Sequence, residues 1–528
     1  MFHKKYLLYG GSEASRPSLN KDFKSLYLKY DISSKRTENL EQIFRKKYLL
    51  YKSKYLNLKN LLGGSLITIT IVDDKTNKLL DFNNININTT IEALKQLVSK
   101  QNQIPIDKQI MRFECLDRNK ILLCDSCTLE QHNIRESTTI ILQNIDTIKI
   151  ESNQWFESLF GFEEEIAYSK SERDMKYKKN QNNFIFDEIN KTLTSKINNL
   201  VYNVGTFTCP TLEELREQVK QYFGKEGFKF EHKIVGDIFM DHALNPGATF
   251  QGASQFNCLE FVNPNIIPEN GITGYIDDST QGPACALACA AGTVVRNYFV
   301  KVNGRDGQTY DNQINNLDEI EKIIDNKKNE YWTIKNGYSN SGIHKISGLE
   351  KFNKLLSETQ GLREELIAKL KVGVHQDVGV NFSKRYVPVS NDISVTQVYA
   401  SALSLNPVYI DRIYNNNKSK RIELWSQLAQ IILEGAYEAT LWAGVINAAR
   451  TGNNKVFLTL LGGGVFENKP EWIGNAIGRA LALARIKNVN IEVIICYFER
   501  DQSNMSESNQ YIRKLINEKY NELTGISL

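Results

Sequence analysis

Apolar and polar positions follow two patterns along this chain, and the change between them divides it. From Ser65 to Gln143 the runs are short. Leu66, Ile67, Ile69 and Ile71 mark a strand with Thr68 and Thr70 interleaved, Asp73–Asn77 is a turn, and Lys78–Ile87 returns. Thr89 with Glu92 has the form of a capping box, after which Ile91, Leu94, Leu97 and Val98 repeat at helical spacing until Pro105. Strands are expected again at Ile110–Phe113, Ile121–Leu123 and Thr138–Leu142, which gives ββαββ and a last strand. From Asn199 the runs lengthen. Strands are expected near Asn199, at Lys233–Ile238 with Asp237 near its end, and at Thr249–Phe261, Val372–Val380, Ser394–Leu405, Val456–Leu461 and Val489–Tyr497. Helices are expected after Thr211, at Ala284–Thr293, Gly361–Lys371 and Leu424–Ala449, and from Pro470. Strands alternating with helices predict an α/β domain with a mixed, mostly parallel sheet.

The flanking stretches are polar. KKYLLY occurs at Lys4–Tyr9 and again at Lys46–Tyr51, and Phe44, Tyr48, Tyr51, Tyr55, Leu58 and Leu62 form a heptad seam that Gly63-Gly64 ends. The seam suits either self-association or partner docking, or a lone amphipathic helix lying on its own protein. Gln154–Glu165 reads as an acidic docking helix or turn, Lys170–Asn183 as a solvent-exposed charge run, Ile413–Lys420 as a polar loop, and Glu499–Leu528 as a helical tail. The expected organisation is a basic helical segment over 1–64, an α+β module over 65–144, a linker and domain start over 145–198, the α/β domain over 199–505 and a tail over 506–528.

Composition narrows the classes. The 528 residues are 41% hydrophobic and 24% charged, with a net charge of +4, which argues against nucleic acid as a partner. No run is apolar enough for a membrane span, and the 8 scattered cysteines fit reduced thiols in a cytoplasmic compartment. Cys124 and Cys127 have metal-ligand spacing, with Cys115 and His132 close in sequence, but no second pair completes a site, so no metal is expected. Cys285 and Cys289, one helical turn apart, read as core thiols.

Two loops carry candidate chemistry. Gly462, Gly463 and Gly464 follow a strand and precede a helix opened by Pro470, with Val465, Phe466 and Asn468 between. Gln281 and Gly282 precede a second helix whose first turn holds Pro283. Glycine loops leading into helix N-termini present backbone N–H groups to anions, and in open α/β sheets such loops meet at the carboxyl ends of the strands.

These residues carry two resemblances. TIEALKQLVSKQNQIPIDKQIMRF followed by TLEQHNIRESTTIILQ resembles ubiquitin across the whole 65–144 module. The resemblance implies a ubiquitin-like α+β (β-grasp) domain. The chain runs on through Asn144–Ile150 without a terminal Gly-Gly, so a conjugated tag is not implied, and Arg112 stands where ubiquitin's recognition face has a branched aliphatic. LTLLGGGVFENKPEWIGNAI and DDSTQGPACALACAAGT resemble the two phosphate loops of macrodomains, the first loop here having a single glycine, Gly282. That likeness implies a three-layer α/β domain. Its ADP-ribose would contact Gln281, Gly282, Gly462, Gly463, Gly464, Val465, Phe466 and Asn468, with Asp237 at the adenine. The strand-end asparagine motif would be either ASQFNCLEF, with Asn257, or VNPN, with Asn263 and Asn265. The branch implied hydrolyses ADP-ribose from arginine, with Asp278, Asp311 and Asp377 as candidate carboxylates and ADP-ribose as product; no cofactor is implied. Ubiquitin or ubiquitin-pathway proteins are the implied substrates and partners. A non-catalytic ADP-ribose reader, or an adaptor recruiting through the ubiquitin-like domain, is the alternative. The Lys/Tyr/Leu style of the first segment resembles giant DNA virus proteins, which implies a host cytoplasm or a virion.

Overall fold

Alternating Thr and Ile positions in the first strand leave one face for a core, and that face is used. A computed structural model describes residues 66–526 except 74–77, 105–108, 116–117, 122–128, 130–133, 145–153, 168, 237, 279, 385–386, 389–392, 407–417 and 500–503. The basic segment with its heptad seam and Gly63-Gly64 cap, Cys124, Cys127, His132 and Asp237 lie outside the described residues, as does the side chain of Arg112. The chain divides into two compact units, the second containing Asn144–Leu528.

In the small unit, β1 (Leu66–Asp73), β2 (Leu79–Asn86), α1 (Ile91–Asn102), β3 (Gln109–Cys115), β4 (Arg118–Ile121) and β5 (Thr138–Asn144) follow in order. The sheet order is β2-β1-β5-β3-β4, with β1 antiparallel to β2 and parallel to β5. The last strand therefore lies at the centre, where Ile140 and Leu142 are buried with Ile69 and Ile71 of β1 and with Leu94 and Val98 of α1. Thr90, not Thr89, caps α1: its Oγ1 accepts the Ala93 N–H at 3.2 Å.

The large unit is an α/β fold around a mixed seven-stranded sheet. A small antiparallel sheet of β6 (Phe184–Asp187), β7 (Thr192–Ser195) and β8 (Val201–Asn203) comes first. The main sheet then takes β9 (Thr206–Thr208), β10 (Lys229–Val235), β11 (Thr249–Ala253), β12 (Gly373–Gly379), β13 (Ser394–Ala400), β14 (Lys455–Leu458) and β15 (Glu492–Phe498). Its order is β10-β15-β14-β11-β13-β12-β9. The five strands from β10 to β13 are mutually parallel, whereas β12 is antiparallel to both β13 and β9.

Helices cover both faces. On one side lie α4 (Leu212–Val219), the 34-residue α8 (Lys418–Thr451), α9 (Pro470–Ile486) and α10 (Glu507–Thr524), packed into one core with Trp425, Tyr437 and Trp442. On the other lie α5 (Ile238–Leu244), α6 (Gln281–Ala288) and α7 (Ala290–Tyr298), packed with α2 (Trp155–Phe160) and the β6–β8 sheet. Adjacent residues of β11 show the two faces: Gln251 donates to Thr440 of α8 at 2.8 Å, while a Cβ on Gly252 would reach Cys285 of α6 at 3.6 Å.

Two expectations change here. From Gln154 on, the stretch expected as linker and domain start is folded into the large unit. Trp155, Phe156 and Phe160 are buried, and the charge run 170–183 forms α3 (Arg173–Asn182), whose Tyr177 hydroxyl donates to Asn297 O at 2.6 Å. A polar sequence hid one buried tyrosine and one buried asparagine, Asn180, which together dock the helix. The tail is not separate either. Gly474 and Gly478 let α10 lie close on α9: a Cβ on Gly478 would meet Ile516 O at 2.7 Å. Among the described residues no helix is long and apolar enough to cross a membrane.

Candidate functional site

The carboxyl ends of β10, β11, β13, β14 and β15 open onto one cleft of about 400 Å³. Its walls include Ser254, Asp278, Gln281, Gly282, Tyr338, Gly462, Gly463, Gly464, Val465, Phe466 and Phe498. Both glycine-bearing loops are thus brought together, with Asp278 as the one carboxylate among the described lining residues. No lysine, arginine or histidine is among them. From the described lining, backbone N–H groups and helix dipoles are what an anion in this cleft would meet.

The first loop is fastened by Gln281. Its Oε1 accepts the Ala253 N–H at 3.0 Å, and its Nε2 donates to Gln251 O at 2.8 Å and Cys285 Sγ at 2.9 Å. The side chain is spent on joining the start of α6 to the end of β11, so a ligand would meet the backbone here. Gly282 is required by that contact, because a Cβ would overlap the carbonyl oxygen of Ala253. Asp278 is half-buried, and its Oδ1 accepts the Thr280 N–H at 2.8 Å.

The turn that presents Asp278 is held from outside the sheet. Glu164 is buried. Its Oε2 accepts the N–H groups of Ile272 and Thr273 at 2.8 and 2.6 Å and the Thr273 hydroxyl at 2.6 Å, while Oε1 accepts the Tyr298 hydroxyl at 2.7 Å. Trp155 Nε1 adds a bond to Thr273 O at 2.9 Å. Burial nonetheless raises the Glu164 carboxyl, against these bonds.

The second loop divides its glycines by role. Gly462 has φ +70°, and a Cβ there would meet Asn468 Nδ2 at 2.5 Å and Ala402 Cβ at 2.6 Å. Gly464 faces open space, with nothing within 4 Å of its Cβ position. Asn468 does not line the cleft. It is buried beneath the loop, donates from Nδ2 to Leu403 O at 2.8 Å, and its own N–H donates to Gly462 O at 3.0 Å. Phe466 meets Tyr338 edge-on, with centroids 5.7 Å apart. Tyr338 follows a two-residue hairpin turn, Asn336-Gly337, with φ of 48° and 77°.

Under the first loop lies a buried charge cluster. A Cβ on Gly282 would reach Glu260 Cγ at 3.4 Å, and Glu260 Oε2 stands 3.7 Å from Arg296 Nη2. Burial pushes the Glu260 carboxyl up to about 8, against the pull of Arg296. Arg296 also stacks on Tyr399 at 3.7 Å. His375 is buried and pushed down to about 3, by burial first and by the Arg296 cation second, so its imidazole is neutral. Its Nε2 donates to Val204 O at 2.6 Å.

Several expected site residues lie elsewhere. Asp311 is exposed in a turn, accepting the Thr309 hydroxyl at 2.7 Å and pairing with Arg305 at 3.3 Å. Asp377 pairs with Arg450 at a bulge in β12. Because β12 runs against its neighbour β13, its last residues lie at the amino ends of the parallel strands, away from the cleft. Asn257 is buried in a turn, where Nδ2 donates to Gln313 at 2.9 Å. Asn263 accepts the N–H of exposed Asn265 at 2.9 Å, and neither lines the cleft. Gly236 and Ile238, on either side of Asp237, do line it. So do Phe498 and, from α10, Ser508, Asn509 and Ile512, none of which was expected. The Gly474/Gly478 spacing on α9 was the available signal that another helix would pack there. Among the described residues no group of three His, Cys, Asp or Glu side chains is placed to hold a metal.

No protein-family model matches the chain, and no curated protein sequence matches it. Solved structures similar to its N-terminal region are ubiquitin-like. The C-terminal ubiquitin-like domain of mouse tubulin-specific chaperone e is 17% identical, with a TM-score of 0.15, covering 16% of this chain and 89% of that one. Ubiquitin of Caldiarchaeum subterraneum is 21% identical, with a TM-score of 0.13, covering 15% of this chain and 92% of its own. A ubiquitin-like domain from an Arabidopsis thaliana protein is 16% identical, with a TM-score of 0.14, covering 17% and 88%.

Proposed function

We propose that the large unit is a macrodomain-like enzyme that binds ADP-ribose in this cleft and hydrolyses it from arginine side chains, and that the small unit is a ubiquitin-like recruitment domain. The observation that carries the first reading is that two glycine-bearing loops, each leading into a helix N-terminus, line one cleft with a single carboxylate among its described residues. A pyrophosphate suits a cleft whose described lining offers backbone donors and no cationic side chain. The run of parallel strands with ligand loops at their carboxyl ends supports it. For the small unit, the central position of the last strand supports the ubiquitin-like reading.

The bond to be broken joins the anomeric carbon of the distal ribose to an arginine nitrogen. Its cleavage builds positive charge on the sugar, which a carboxylate stabilises while orienting water or returning a proton to the leaving guanidine. Asp278 is the described residue placed for this, and the loops fix the sugar beside it by holding the pyrophosphate. Ubiquitin or a ubiquitin-pathway protein is the proposed carrier of the modified arginine, with host cytoplasm or a virion as the proposed setting. One observation favours the reader alternative: Asp278 already accepts the Thr280 N–H, as a purely capping residue would.

Gly464→Glu tests the site without disturbing the fold, because the position is open and its φ is not in the left-handed region. Calorimetry with ADP-ribose should show at least a tenfold loss of affinity, equivalent to about 1.4 kcal/mol. Asp278→Ala should keep binding and lose release of ADP-ribose from an ADP-ribosyl-arginine substrate. Unchanged affinity in folded Gly464→Glu removes the phosphate-loop assignment. Binding without turnover in the wild type leaves the reader.

A further inference from the structure

The edge of the main sheet brings two thiols together. Thr208 of β9 pairs with Val374 of β12. The register continues beyond β9: Val372 N–H donates to Pro210 O at 3.2 Å, and Thr211 bridges Lys371. Cys209 therefore lies directly opposite Gly373, and opposed residues of an antiparallel pair point to the same face. Gly373 leaves that face empty, and the space is filled from the loop after β11: a Cβ on Gly373 would meet Cys258 Sγ at 2.6 Å. Asn316 Nδ2 donates to Cys258 Sγ at 3.2 Å. Cys258 is buried, Cys209 only half-buried. Cys258 also has φ +60°, a conformation a non-glycine residue adopts only when its surroundings impose it.

We propose that Cys209 and Cys258 form a reversible oxidative-modification site that closes to a disulfide when a small hydroperoxide reaches Cys209. Burial raises the Cys258 thiol, but the neighbouring Cys209, the bond from Asn316 and the Arg296 and Lys371 cations bring it below its ordinary value overall. The neighbouring Cys258 sulfur and burial hold Cys209 well above its own ordinary value. Of the pair, Cys258 is the sulfur more readily ionised, and Cys209 the one that solvent reaches. In the first step the Cys209 proton passes to the neighbouring Cys258 sulfur, the Cys209 thiolate so formed attacks, and the O–O bond of the hydroperoxide breaks. Cys209 gains one oxygen as a sulfenic acid, and its thiol proton leaves on the alcohol, or on water when the oxidant is hydrogen peroxide. In the second, the Cys258 thiolate attacks the Cys209 sulfur, the S–O bond breaks, and hydroxide departs as water with a proton from solvent. The bond formed ties the loop bearing Gln255 and Phe261, both in the cleft wall, to the sheet edge.

The test treats reduced full-length protein with hydrogen peroxide, alkylates it, denatures it and maps its peptides without reductant. A Cys209–Cys258 linked peptide, lost on treatment with dithiothreitol, is expected. Cys258→Ser should instead leave a sulfenic acid at Cys209 that dimedone traps. Recovery of both wild-type cysteines as free thiols, or their conversion to sulfinic acids with no linked peptide, overturns the proposal.

Discussion

Glu260 shows how much one buried group can set. Its ordinary carboxyl value is 4.5, and burial beside a single partner, Arg296, takes it to about 8. A raised acid holds a proton in the folded state that the unfolded chain has given up. Stability therefore falls as pH rises from 4.5 to about 8, and levels off above that. Thermal melts across this range should show a shallower decline for Glu260→Gln than for wild type. Some decline should remain in the variant, because burial raises the carboxyls of Glu164 and Glu269 in the same direction. Parallel curves for the two proteins would mean that Glu260 is ionised throughout. The same residue marks a limit of sequence reading: nothing in QFNCLEF distinguishes a buried glutamate from an exposed one. The glycine loops were legible because their backbone demands are written in residue type. Gln281 was named as a ligand contact, whereas its amide is consumed by Gln251, Ala253 and Cys285.

At the scale of elements, the helix that completes the cleft is held on by absent side chains. α10 rests on Gly474 and Gly478 of α9, and the Glu499 carboxylate accepts the N–H of Ser506 at 2.7 Å and Asn509 Nδ2 at 2.8 Å, fixing its first turn. Gly478→Leu would place carbon where Ile516 O and Lys519 Cβ stand, at 2.7 and 2.8 Å from the Cβ alone. We expect a loss of about 1–3 kcal/mol, the usual cost of overpacking, read as a lower midpoint in urea. Ser508 and Asn509 would shift with the helix, so ADP-ribose affinity should fall even where the variant is folded. An unchanged midpoint would show that α10 is not clamped by these glycines. The parallel strands from Asn199 onward were readable because buried parallel strands are apolar throughout, but the strand expected over Thr249–Phe261 ends at Ala253 and the helix expected over Ala284–Thr293 is broken at Cys289. α2 and α3 were not. Their docking depends on aromatic edge contacts, such as Phe160 to Phe184 of β6 at 5.1 Å, and on single polar anchors within charged sequence.

Across the whole molecule, the division at Asn144 decides which fragments survive. A cut at Asn199 follows the onset of regular patterning but removes Trp155, Phe160, Glu164 and Tyr177, all buried. It would strip the acceptor from Ile272, Thr273 and Tyr298 at once, and lost bonds to a charged acceptor cost about 1.5–3 kcal/mol each. A fragment over Asn144–Leu528 should therefore unfold cooperatively and bind ADP-ribose as full-length protein does. One over Asn199–Leu528 should give no cooperative transition. The longer fragment also separates recruitment from chemistry. If the small unit serves to bring substrates, its removal leaves turnover of a small ADP-ribosyl-arginine compound unchanged, since Asp278 and both glycine loops remain. Turnover of a protein substrate held by that unit should fall, because tethering acts through effective concentration and adds no contact in the cleft. Equal losses on both substrates would mean that the small unit supports the catalytic fold itself. Equal retention would remove it from substrate selection.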